Sequence, residues 1–329
     1  MKEYRGELPE DAKKFNDDIC QMLLGNEHPV PRDSLFSDDC FEETMDIIQD
    51  RNEAMINEVI AELVFPNVQV MAIRDVKYRP FIQSVNEGWN NCKKVTQTRP
   101  QPDSAYGFSA SAFSANQLEK LQPYLGDLDD KSHFRATWFM YFPFMTREVK
   151  RGNIGLDIAD RQNAHSMTVA LLGLVALYKL LGRERELHGK IKTFSMSHDH
   201  RMARLYGHIA IIEGNKTSCW RKEIDVFDIR TRNGVNRWKC RQFALNALEA
   251  GLQLLEDIRS AIDDWTPDPA LEALQQSDAI SLGPSGLSQQ FDDQDLCDGD
   301  ESLSDPKNAN TQQITPESSA KPSVKKTKR

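Results

Sequence analysis

Thr137-Trp-Phe-Met-Tyr-Phe-Pro-Phe-Met-Thr-Arg-Glu-Val-Lys150 is the stretch on which the reading of this chain turns. Its density of aromatic residues is that of a strand. Pro143 lacks a backbone N–H, so it marks a strand start or a bulge and leaves 144–150 as the strand proper. Side chains alternate along a strand, so Glu148 and Lys150 project from one face. A carboxylate beside an ammonium suits metal-assisted phosphodiester hydrolysis: the carboxylate holds a divalent ion, and the lysine offsets charge developing on the phosphate. Gly152 and Gly155 make the turn that follows. A long helix over about 157–181 comes next, ended by Gly182. Its run Met167 to Leu181 is shorter than the roughly 20 residues of a membrane span, so it reads as a buried core helix.

Upstream, Pro100-Gln101-Pro102 stiffens the approach to Asp103-Ser-Ala-Tyr-Gly-Phe108, a short strand with Asp103 as the second carboxylate of a metal seat. Ser114 and Gln117 have capping-box spacing, which predicts a helix from about 115 that stops before Pro123. Residues 38–65 read as helical and end at Pro66. Between 67 and 99, Val68, Val70 and Ala72 alternate as a strand would, while a helix fits Met71 to Asp75 equally, and Val95 marks a weak strand. Ile191–Ser197, Arg204–Ile212 and Glu223–Ile229 read as strands, and 236–262 as a helix with one apolar stripe.

Pro102-Asp103 followed by Glu148-x-Lys150 on an apolar strand matches the PD-(D/E)XK signature. Together with Arg99 to Phe108, Phe142 to Lys150 and Asp160-Arg-Gln-Asn-Ala164, it resembles the nuclease-like domain of an uncharacterised family of filamentous fungi. The resemblance covers roughly residues 34–265. It implies an α/β fold with a restriction-endonuclease-like core, a central mixed sheet flanked by helices. It implies that Asp103 and Glu148 bind Mg²⁺ or Mn²⁺, that Lys150 is the catalytic lysine, and that Gln162 supports the site from the helix after it. Glu58 or Glu62, in the first core helix, adds a further metal ligand. The activity implied is a metal-dependent nuclease acting on nucleic acid, DNA before RNA. Arg147 departs from the pattern, which has an aliphatic residue facing the packed side there; a buried arginine needs a partner.

Taken singly these signals are ordinary. Glu-x-Lys at a strand end is commonly a solvated edge, and Pro-Asp is a common turn. Nuclease folds also serve as binding scaffolds, so a catalytically silent interaction protein is the alternative. The net charge of −9 and pI near 5.4 favour that alternative, because attraction to phosphate backbones rests on Lys and Arg. The basic stretches Lys93-Lys94 and Arg237 to Arg241 could contact phosphates or form a solvated face. His198, Asp199 and His200 look like metal ligands but read better as an exposed strand end, and His165 and His208 as core or helix-surface residues.

Residues 1–33 form a polar, partly disordered arm whose one apolar patch, Ile19 to Leu24, could be a docking helix. From 266 to 329 the chain is acidic and rich in Ser, Asp, Gln and Pro. It cannot bury enough apolar surface to offset ordering, which predicts disorder and a possible site for protein partners. It ends in Lys325-Lys-Thr-Lys-Arg329, similar to a nuclear-localisation tract. The six cysteines lack zinc-site spacing and are too sparse for a disulfide scaffold. With no apolar leader either, the expectation is an intracellular protein of the nucleus or cytoplasm, without a membrane partner.

Overall fold

Six strands, β1 (Phe81–Val85), β2 (Ser104–Phe108), β3 (Tyr141–Val149), β4 (Ile191–His198), β5 (Met202–Glu213) and β6 (Lys216–Asp228), lie side by side in chain order in a computed structural model. It describes residues 1–152 and 154–266, the side chain of Asn233 apart, so the expected disordered tail lies outside the described residues. Every neighbouring pair is antiparallel except β3 and β4. A parallel pair needs a crossover, and the 25-residue helix Leu156–Leu180 supplies it. The architecture is α/β with a mixed sheet flanked by helices.

In chain order the helices are α1 (Glu10–Gly25), α2 (Phe41–Ile48), α3 (Glu53–Val64), α4 (Val68–Arg74), α5 (Ala115–Leu125), the crossover α6 (Leu156–Leu180), α7 (Thr231–Gly234) and α8 (Lys239–Asp264). The sheet is covered on both faces, and adjacent residues of β3 show it. Thr146 Oγ1 donates to Asn163 Oδ1 of α6 at 2.6 Å, while Arg147 reaches Asn57 of α3. Consecutive strand residues point to opposite faces, so α6 and α3 lie on opposite sides. On the α3 side α8 adds Phe243, whose ring meets Phe194 of β4 edge-on at 6.4 Å. α6 is apolar around nearly its whole circumference and is buried from Asn163 to Tyr178. Gly173 is required there, because a Cβ would lie 2.3 Å from the carbonyl oxygen of His133.

Several sequence expectations need correction, and two left open, strand or helix at Val68 to Ala72 and a docking helix in the N-terminal arm, are decided as helices. The single helix over 38–65 is two helices, because Asn52 caps α3 by accepting from Met55 N at 2.9 Å. The alternating Val68 to Ala72 segment is helical, with Asn67 as its cap. Val95 belongs to no strand; the strand missing from that region is β1, just after Pro80. α5 runs through Pro123 to Leu125, since a proline so near the end removes only one helical hydrogen bond while Leu121 and Leu125 remain buried. β3 begins at Tyr141. Its register against β2 shifts between Tyr106 and Phe108, and Phe142 has φ +41°, so Pro143 belongs to a bulge. β6 starts at Lys216, seven residues before the expected Glu223, across a hairpin in which Gly214 has φ +58°. The apolar patch of the N-terminal arm belongs to α1, which docks through Leu23 and donor bonds from Asn246 of α8 to Leu23 O and Asn26 O, both at 3.0 Å. Residues 53–74 match a membrane span in length and hydropathy. Pro66 divides them, and Ile56, Ile60, Val64 and Val68 are buried in the core.

Candidate functional site

The site lies where the antiparallel part of the sheet gives way to the parallel pair, at the carboxyl ends of β3 and β4. The β2–β3 ladder ends with Ser104 opposite Arg147, so Asp103 comes opposite Glu148. There the Asp103 carboxylate takes over the role of a strand carbonyl: Oδ2 accepts the N–H of Val149 at 2.7 Å. It is thereby fixed beside the residue that lies between Glu148 and Lys150. The ladder to β4 continues one residue past the strand, with Lys150 N donating to His198 O at 2.9 Å.

Glu148 is 2% exposed. Burial raises its carboxyl well above the usual glutamate range, and the Asp103 charge raises it further. Lys150 and Arg147 oppose that rise and Glu53 adds to it. Lys150 is itself buried, with Nζ 3.3 Å from Glu53 Oε2. Glu53 is the first residue of α3, so the structure joins Asp103, Glu148 and Lys150 with a carboxylate from the first turn of a core helix. The helix was expected to contribute Glu58 or Glu62. Both are exposed further along α3, and Glu62 acts on Tyr106 and Arg241 instead. The sequence signal for Glu53 was present in the Asn52 cap, which places the next residue at a helix start.

Gln162 is on α6 next to the buried Asn163. Its Oε1 is buried and has no hydrogen-bond partner among the described residues. Asn163 ties α6 to β3 and β4: besides accepting from Thr146, it donates to Met196 O at 2.9 Å and Ser197 Oγ at 3.0 Å.

Arg147 is 1% exposed, on the face opposite Glu148. Its partners are Asn57 Oδ1 and the face of the Phe65 ring, 5.8 Å away. Nε and Nη1 have no partner among the described residues. Burial lowers its affinity for a proton, and Asp103, Tyr106 and Glu148 work against that. The expected exposed strand end at 198–200 is buried: His198 is 0%, Asp199 7% and His200 4% exposed. Asp199 Oδ1 closes the β4–β5 turn by accepting from Arg201 N at 2.6 Å and Met202 N at 2.7 Å. His208 is a core residue, Nε2 lying 2.8 Å from Ser195 Oγ, and His165 is buried too. The basic stretch at 237–241 is used internally: Arg237 pairs with Asp38, Lys239 with Asp225, and Arg241 donates to Glu62 O.

Next to the Glu53–Lys150 pair opens a cleft of about 770 Å³, lined among others by Arg51, Asn52, Arg151, Gly152 and His200. Among the described residues no group of three or more His, Cys, Asp or Glu side chains is arranged to hold a metal ion. The local donor set is therefore the Asp103–Glu148 pair. Two carboxylates, completed by water and substrate oxygens, are a coordination that Mg²⁺ accepts. The buried Glu148 carboxylate and the half-buried Asp103 beside it repel each other and fit a hard cation, which would relieve the repulsion.

Residues 40–262 match the family described as a domain of unknown function, DUF7924. The match takes in more than half of the chain, which belongs to that family. No curated protein matches the chain.

Proposed function

We propose that this DUF7924 protein is a divalent-metal-dependent phosphodiesterase of nucleic acid, DNA before RNA, built on a PD-(D/E)XK nuclease-type core. The observation that carries the reading is the convergence of Asp103, Glu148 and Lys150 where β2 begins and β3 ends, with Asp103 fixed by the backbone between the other two. The order of elements supports the same core: three antiparallel strands, a crossover helix and a parallel fourth strand, with the acidic pair at the change of direction.

Asp103 and Glu148 would hold Mg²⁺ or Mn²⁺, which when bound supplies Lewis acidity and a water of lowered pKa. The protein's own groups do the rest. Asp103 keeps one oxygen on the Val149 N–H, which fixes the plane of its carboxylate. Lys150, held by Glu53, presents a positive charge where a phosphoryl oxygen gains negative charge. The burial of Glu148 lowers the dielectric around its carboxylate and strengthens its own interactions.

A second reading, a nuclease-fold scaffold without catalysis, is favoured by the ion pair that commits Lys150 to Glu53 and by the acidic net charge. The deciding experiment incubates purified protein with end-labelled single- and double-stranded DNA and RNA in Mg²⁺ or Mn²⁺, beside Glu148→Ala. Cleavage present in the wild type and lost in the variant supports catalysis. Absence of Glu148-dependent cleavage across the panel leaves the scaffold.

A further inference from the structure

The cleft beside Lys150 is more basic than the acidic chain around it. Arg51, Arg151, Arg201 and Arg230 line it against two carboxylates, Asp50 and Asp228. Arg230 is neutralised by Glu42 at 2.7 Å and Asp46 at 2.9 Å. Arg201 reaches Asp228 only at 4.0 Å, with its side chain 63% exposed. Arg51 and Arg151 are exposed and form no ion pair among the described residues. The two come from different elements, Arg51 from the α2–α3 turn and Arg151 from the turn after β3, so the fold sets two uncompensated guanidiniums along one opening.

A second observation points to a ligand. His200 lines the same cleft yet is almost fully buried, and its Nδ1 has no hydrogen-bond partner among the described residues. The ring packs onto Gly152, where a Cβ would come within 2.1 Å of Cε1. Glycine at 152 thus lets the imidazole close against the turn that carries Arg151. Among the described residues no Phe, Tyr or Trp lines the cleft, and the His200 ring is almost fully buried, so the cleft offers chiefly charge and hydrogen bonds. Such a surface recognises backbone phosphates without reading sequence.

We infer that this cleft is the seat of the polynucleotide backbone flanking the carboxylate pair, with Arg51 and Arg151 contacting its phosphates and His200 packed beneath them. The inference rests on the phosphodiesterase reading for the class of ligand and on the cleft for the residues. Asn52 and Glu53 join Arg51 to the Lys150 pair, and Arg151 directly follows Lys150, so a strand lying in the cleft passes the carboxylates.

The test is fluorescence anisotropy of the full chain with a fluorescein-labelled oligonucleotide in EDTA, where no cleavage interferes, over a series of salt concentrations. DNA and RNA probes, single- and double-stranded, form separate arms. We expect Arg51→Ala/Arg151→Ala to bind about tenfold more weakly than wild type, with a salt dependence shallower by roughly 0.7 per contact removed on a single strand. Arg74→Ala/Arg79→Ala, which removes the same charge from an exposed surface elsewhere, should bind as the wild type does. Loss of binding that is equal in the two arginine pairs would overturn the inference. So would wild-type binding by the cleft pair, absence of binding in every arm, or displacement of the probe by a polyglutamate peptide as readily as by unlabelled DNA. The two readings fail separately. Arg51- and Arg151-dependent binding without cleavage removes catalysis alone, and Glu148-dependent cleavage with binding indifferent to the arginines removes the cleft alone.

Discussion

A buried carboxylate beside a second one is costly without a counter-ion, and Glu148 is in that position. Its carboxyl is raised in the folded chain, so between the ordinary glutamate range and the raised value the unfolded chain releases a proton that the folded one keeps. Stability due to Glu148 therefore falls as pH rises through that window. Glu148→Gln removes this cost. We expect it to melt above the wild type at pH 8 in EDTA, with the difference closing as pH falls below the ordinary glutamate range; a difference independent of pH would contradict the assignment. Arg147 works in the opposite sense. Of the charges around its buried guanidinium that of Asp103 acts most, and Arg147→Ala would leave a cavity, an unpaired Asn57 and less compensated carboxylates. A loss of about 2–5 kcal/mol in urea unfolding is expected, as for truncating a large buried side chain to alanine. The arginine that departs from the family-like pattern thus has partners, Asn57 and Phe65, which only the fold brings together.

At the scale of elements, α6 is the axis of the site, because it joins β3 to its parallel neighbour and binds both strands through Asn163. Gly173→Ala would push a Cβ against the His133 carbonyl, a backbone atom that cannot swing away. We expect a loss of about 1–3 kcal/mol from overpacking. Leu174→Asp, which buries an unpaired charge at a position 1% exposed, should abolish the cooperative melting transition. The sequence made α6 and the end of β3 legible because their apolar residues are dense and bounded by glycines. β1 was not legible: it is an edge strand of five residues in which only Phe81 and Ser84 are buried, so no alternation stands out. The helix break at Asn52 was hidden inside an apolar pattern that continues across it. Glu53, the first residue of its own helix, therefore stands out less in sequence than Glu58 and Glu62. The 198–200 corner reads as exposed in sequence because what buries it, His200 packed on Gly152, joins segments far apart along the chain.

Across the molecule, several histidines are buried neutral. His198 and His208 are pushed down to about 3 and His165 to about 4, burial being the first cause in each. The unfolded chain binds these protons near pH 6.5, so stability is fully present above that pH and is lost as pH falls toward the folded values. Urea midpoints should fall steadily between about pH 6.5 and pH 4, and His208→Gln should flatten part of that slope. Metal acts on the same global equilibrium, since an ion bound only by the folded chain stabilises it. The most direct measurement of the central claim, that Asp103 and Glu148 form one cation seat, is calorimetric titration of the full chain with Mn²⁺ at neutral pH. Wild type should bind one ion, and Asp103→Asn and Glu148→Gln should each lose it while keeping a cooperative melting transition. Unchanged Mn²⁺ binding in either folded variant would contradict the claim.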